Sequence, residues 1–336
     1  MGSFVDEYIV RNETVTIHLP LDYPSEHARE ATAGMLAAQT VTSAIAMFFG
    51  IGAQTMLTYY LFKEKKNRSP AQQKVFLLLY AHIFFMTANS FVIFCFSVFK
   101  TPPSLWRVCN VAGTLPSTMY VAGNGLSYAI FLKRASATAF AAKRSKFATA
   151  MWYYALLGTY GIPGFICLMW LLINGRIIYG EICYQDHASW LAFMFTTIDT
   201  TLSLAFLYLF LEPVMQQLKI MHGGTGNSRS AATIKMRATA MKNLRWSSMT
   251  IFSTFLFMLI VSIVPNLETS EETRHLKMIT WVGQPLDSFF TMIGMLAITS
   301  GIWRPKDLKG ASSVTPATGV MSKASSVAAT TNAGNE

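Results

Sequence analysis

Seven apolar stretches, each long enough to cross a bilayer, run through this chain. They lie at roughly Met35–Phe62, Val75–Phe99, Val108–Leu132, Thr149–Ile173, Ser189–Leu211, Trp246–Pro265 and Ile279–Trp303. At a rise of about 1.5 Å per residue, about 20 apolar residues cross about 30 Å of hydrocarbon. Shorter runs would fit a soluble core equally well, but seven of this length would not. The expected fold class is therefore an all-α membrane protein, a seven-transmembrane helix bundle.

Charge sets the expected orientation. The loops after spans one, three and five and the C-terminal segment carry 20 of the 27 Lys+Arg. Short Lys/Arg-rich loops stay cytoplasmic, so the N-terminus is expected to be extracellular and the C-terminus cytoplasmic. Three regions follow: an extracellular tail over 1–34, a transmembrane domain over 35–303, and a cytoplasmic Ser/Thr-rich tail over 304–336 with too few apolar residues to fold. The first span is expected to serve as its own insertion signal, because residues 1–34 contain no apolar signal-peptide core.

Composition agrees with this reading. Apolar residues make up 52% of the chain and charged residues only 13%. A net charge of +10 would suggest nucleic acid for a soluble protein, but here it fits basic loops facing anionic lipid heads. The expected partners are the lipid bilayer and a small-molecule or peptide ligand, with no nucleic acid. The expected location is the plasma membrane.

Asn12-Glu13-Thr14 is a glycosylation sequon on the expected outer side. Cys109, at the outer start of span three, and Cys183, in the second outer loop, share that oxidising side and are expected to form a disulfide. Two free thiols are the alternative. Cys95 and Cys167 fall inside spans and are expected to pack as small apolar residues. Pro116, Pro163 and Pro285 are expected to bend spans three, four and seven. Residues 231–246 look helical and are expected to extend span six into the cytosol.

Polar residues inside the spans are the candidate site. Asp199 and Asp287 sit near the expected bilayer middle, where an aspartate costs about 2.5–3.5 kcal/mol and must face the bundle or water. His82 and Asn89 share a face of span two, being seven residues apart. Asn124, Gln284 and Gln54 complete the set. Asp287 with Asn89 and Asn124 is expected to form a polar core that binds a cation or water, with Asp199 facing a ligand. Helix-to-helix hydrogen bonding, worth about 0.6 kcal/mol per contact, is the plainer alternative. No metal-ligand, nucleophile-elbow or phosphate-loop motif is present, so neither enzyme activity nor a cofactor or metal is expected.

An outside N-terminus, seven spans, a cysteine pair joining span three to the second outer loop, and a long basic third inner loop together resemble the heptahelical G-protein-coupled receptors. The resemblance covers residues 35–303 and is architectural. Lys133-Arg134 lies where rhodopsin-type receptors carry Asp/Glu-Arg-Tyr. Span seven reads Gln284-Pro285-Leu286-Asp287 instead of Asn-Pro-x-x-Tyr. A divergent receptor fits better than a standard rhodopsin-family one. The resemblance implies that a ligand entering the outer half shifts the helix arrangement. An inner pocket would then open for a G protein, lined by Lys133, Arg134, Lys235, Arg237, Lys242 and Arg245. A retinal pigment is disfavoured because span seven has no lysine. A small-solute transporter and a non-signalling membrane scaffold are the rival readings.

Overall fold

A computed structural model of the chain describes residues 16–19, 26–63, 69–99, 106–139, 145–161, 164, 175–179, 182–186, 193–194, 196–209, 212, 231–267 and 278–300. The fold is predominantly helical. Among the described residues, seven helices occur: α1 Glu26–Lys63, α2 Pro70–Val98, α3 Trp106–Ala139, α4 Lys146–Tyr160, α5 over residues 196–209, α6 Ala231–Leu267 and α7 Met278–Ile298. Two of them are long and apolar enough to cross a membrane, α1 over Thr32–Lys63 and α2 in full. Leu244–Ile260 within α6 is a shorter apolar segment. Helix α7 carries the polar residues Gln284, Asp287, Ser288 and Thr291, all buried.

Local chemistry sets several helix ends. Ser69 caps α2 by accepting from the Gln72 amide, while the Gln72 side chain accepts from the Ser69 amide, and Pro70 occupies the first turn where no donor is needed. Ser145 caps α4 in the same way through the Ala148 amide. Span four differs from expectation at its far end. Helix α4 ends at Tyr160 with Gly161 as its cap, and Gly164 is helical again. Residues 165–174 and Pro163 itself lie outside the described residues. Pro116 and Pro285 lie within α3 and α7, which continue through them. Helix α6 runs unbroken from Ala231, so the basic segment after the glycine-rich stretch is continuous with span six.

The helices pack in a closed series, with α3 and α7 among its members. Helix α1 packs on α2 and α7, α2 on α3 and α7, α3 on α4, and α6 on α7. Helix α5 joins through Tyr128 and Phe131 of α3, whose rings meet Phe206, and through Thr196, which donates to the Met258 carbonyl of α6 at 3.0 Å. Gly294 lets α7 approach α6 so closely that a Cβ there would sit 1.8 Å from Thr250 Oγ1. Gly50 does the same for α1 against Thr87 of α2, at 2.0 Å.

Three short strands accompany the helices: β1 Thr16–Leu19, β2 Gly175–Tyr179 and β3 Ile182–Asp186. They form one sheet in the order β1-β2-β3. The first pair is parallel, with Thr16 opposite Arg176, and the second is an antiparallel hairpin, with Ile178 opposite Cys183. Both β2 and β3 contact α3. Thr16–Leu19 is thus tied to Gly175–Tyr179, a pairing that hydropathy did not signal.

Candidate functional site

One face of α7 organises the interior. Gln284, Asp287, Ser288 and Thr291 recur at helical spacing, and all four are buried. Asp287, only 2% exposed, is the hub. Its Oδ2 accepts from the Tyr120 hydroxyl of α3 at 2.6 Å. Its Oδ1 accepts from Ser253 Oγ at 2.8 Å and Thr254 Oγ1 at 3.2 Å, both on α6. Three hydroxyls from two helices therefore satisfy a buried carboxylate on a third. Hydrogen bonds to a charged acceptor are about twice as strong as neutral ones.

A second polar knot lies beside the first. Gln284 Nε2 donates to Asn89 Oδ1 at 2.9 Å and to the Pro116 carbonyl at 3.3 Å. Asn89 Nδ2 in turn donates to Ser288 Oγ at 3.2 Å. Helices α2, α3 and α7 are thus joined one step from the Asp287 hub. His82 lies on the same α2 face as Asn89, two turns away, and its Nδ1 contacts the Gly123 carbonyl of α3 at 2.8 Å. That geometry requires the proton on Nδ1, since a carbonyl only accepts. Asn124 stands one turn after Tyr120 on α3 and is buried.

Asp199 of α5 completes the set from the remaining side. It is 4% exposed and lies within electrostatic range of both Asp287 and Tyr120. Among the described residues, its Oδ2 has no hydrogen-bond partner, and neither has His82 Nε2. Among the described residues, no group of three or more His, Cys, Asp or Glu is arranged to hold a metal ion. The arrangement can hold one anionic carboxylate firmly and a second loosely.

The sequence-named residues fall into three groups. Asp287, Asn89, Gln284, Asn124, His82 and Asp199 are brought into the interior. Gln54 lies apart, donating to the Tyr80 carbonyl between α1 and α2 at 3.3 Å. At the other end of α3, Lys133 is exposed, whereas the Arg134 guanidinium donates to the Ile298 carbonyl at the end of α7. Arg245 is exposed on α6. The side chains of Lys235, Arg237 and Lys242 lie outside the described residues. So do those of Cys109, in the first turns of α3, and Cys183, in β3. Asn12 and Cys167 lie outside altogether.

Four residues central to the site were not named from the sequence: Tyr120, Ser253, Thr254 and Ser288. A signal existed for Ser288, which shares the α7 face of Gln284 and Asp287. Tyr120 had a weaker one, standing one turn before Asn124. The adjacent hydroxyls of Ser253 and Thr254 gave none, because Ser and Thr occur throughout the spans. No protein-family model and no curated protein matches this sequence.

Proposed function

We propose that the chain is a multi-pass plasma-membrane receptor with seven spans. In this reading it transduces an extracellular small-molecule or peptide signal to a cytoplasmic partner, a G protein, by rearranging helices. The carrying observation is the Asp287 hub, which ties α7 to Tyr120 on α3 and to Ser253 and Thr254 on α6. A ligand that favours a different set of partners for one carboxylate would shift three helices at once. Arg134, bonded to the end of α7, holds the opposite end of α3 in the same arrangement.

The membrane part of the reading draws on an inverted distribution of polarity. Phe48 is 67% exposed, Phe252 63% and Phe193 68%, while Asp199, Asp287, Asn89, Asn124 and His82 are buried. Large exposed apolar surface around a polar interior is costly in water and favourable in lipid. The second reading is a small-solute transporter, favoured by the unpartnered Asp199 oxygen beside the hub. No catalytic step belongs to either reading.

The test uses the purified full chain in nanodiscs against a ligand library, beside D287N. A compound that raises the melting temperature and stimulates G-protein nucleotide exchange, with the exchange lost in D287N, supports the receptor. Stabilisation without exchange, accompanied by uptake of the same compound into vesicles, favours the transporter and overturns the receptor reading.

A further inference from the structure

We propose that the groove between α2, α3 and α4 is a site for one anionic phospholipid of the cytoplasmic leaflet. The phosphate would sit on Lys74 and Lys133, and an acyl chain would lie along the groove. The inference rests on the membrane-spanning reading above and gives Lys133 a lipid contact in addition to the cytoplasmic-partner contact that reading implies.

The groove has a volume of about 630 Å³, within the range of small-ligand sites. Helices α2 and α3 are consecutive and packed on each other, so the start of α2 and the end of α3 fall at the same end. Lys74 lies near the start of α2 and Lys133 near the end of α3, and both side chains are exposed at the groove. The remaining lining runs away from this basic end. Eleven residues separate Lys74 from Phe85 on one wall, and eleven separate Lys133 from Ala122 on the other. At helical rise that is about 16 Å, roughly half the hydrocarbon thickness and so the depth of one leaflet.

The chemistry along this path is that of a lipid. On α3 the lining includes Ala122, Gly125 and Ala129, whose small side chains leave a channel, and on α2 Leu77 and Leu78 form an apolar wall. Tyr160 closes the far end from α4. Among the described residues, no acid lines the groove. A second groove, about 520 Å³ between α1 and α2, provides the contrast. Met47, Ile51, Phe84 and Phe91 line it, no charged residue does, and it has no means of choosing among headgroups. The lysine pair marks the first groove as selective for an anionic headgroup.

The test is native mass spectrometry of the full chain in mild detergent, offered phosphatidylserine and phosphatidylcholine with identical acyl chains. The wild type is expected to retain one phosphatidylserine in preference. Lys74→Gln with Lys133→Gln should lower that preference by about tenfold or more. Lys74→Arg with Lys133→Arg should keep it, and Ala88→Leu in the second groove should leave it unchanged. Equal retention of the two lipids by the wild type overturns the proposal, as does an unchanged preference in the double glutamine variant. Loss of the bound lipid to inorganic phosphate alone would also overturn it, since the chain-binding part would then contribute nothing. Carbonate extraction of cell membranes separates the two readings. A chain released by carbonate defeats both the membrane reading and the lipid site. A chain retained in the membrane but without headgroup preference defeats only the site.

Discussion

Tyr120, Ser253 and Thr254 converge on the Asp287 carboxylate with no cation among them. Hydrogen bonds to a charged group each contribute about 1.5–3 kcal/mol, and removing the acceptor leaves several buried donors to find new partners. Tyr120→Phe is therefore expected to lower stability by about 1.5–3 kcal/mol, and D287N by a similar amount, in reversible unfolding in mixed micelles. The double variant should lose less than the sum, with a coupling above about 1 kcal/mol, because both changes remove the same bond. Strict additivity would mean that the two side chains do not interact in the folded protein. Asp199 should behave in the opposite sense. Its Oδ2 has no partner among the described residues and it faces Asp287 electrostatically, so a neutral near-isostere relieves a weakly compensated buried group. Asp199→Asn is expected to leave the melting temperature unchanged or raise it. A fall as large as that of D287N would show that the Asp199 carboxylate is held by a strong interaction. The two aspartates looked alike in the sequence, each a lone acid in an apolar run. Their difference is a matter of which hydroxyls the fold brings to each, and spacing along one helix does not carry that information.

At the level of helices, close approach is as important as polar bonding. A Cβ on Gly294 would overlap Thr250 Oγ1, and Thr250 is itself fixed by a 3.0 Å bond to the Trp246 carbonyl. Gly52 on α1 has nothing within 4 Å of the same position. Gly294→Val should cost about 1–3 kcal/mol through forced separation of α6 and α7. Gly52→Val should cost only the small difference in helix propensity, and thermal unfolding of the two side by side decides the matter. Equal effects would mean that α6 and α7 do not pack through this glycine. Helices α1 and α2 were legible from the sequence because their outward faces are apolar and their polar residues few. Helix α7 was legible as an apolar run, but the four polar residues on its buried face reduce its contrast with a soluble helix. The sheet was not legible: its strands are four or five residues long, and the parallel pairing of Thr16–Leu19 with Gly175–Tyr179 joins segments distant in sequence. Span four shows a further limit, since Gly161 and Pro163 can kink a helix or end it, and the described helix ends at Tyr160.

For the whole molecule, the distribution of charge and the distribution of burial make independent claims that one topology experiment can join. In the proposed topology, the Lys/Arg-rich loops would hold residues 63–74 and the C-terminus on one side and the N-terminus on the other. The ring of helices requires the same alternation if it spans a bilayer, because α1 and α2 are consecutive and packed, as are α2 and α3. Those connections fall at opposite ends of α2, so a bilayer crossed by α2 would have Lys63, at the end of α1, and Trp106, at the start of α3, on opposite sides. Single cysteines introduced at Ser69 and Ser145, in a chain whose native cysteines are left in place as background, should react with a membrane-impermeant maleimide only after the cells are opened. An epitope placed beside Asn12 should be detected on intact cells, and a glycosidase should shift the mass of the chain unless Asn12 is replaced by Gln. Reaction at Ser69 on intact cells would reverse the orientation and remove the basis for a G-protein partner at the Lys133 end. Reaction at Ser69 and Ser145 on opposite sides would be more damaging. These two caps begin α2 and α4, two helices apart, and an odd number of crossings between them would break the seven-span order itself.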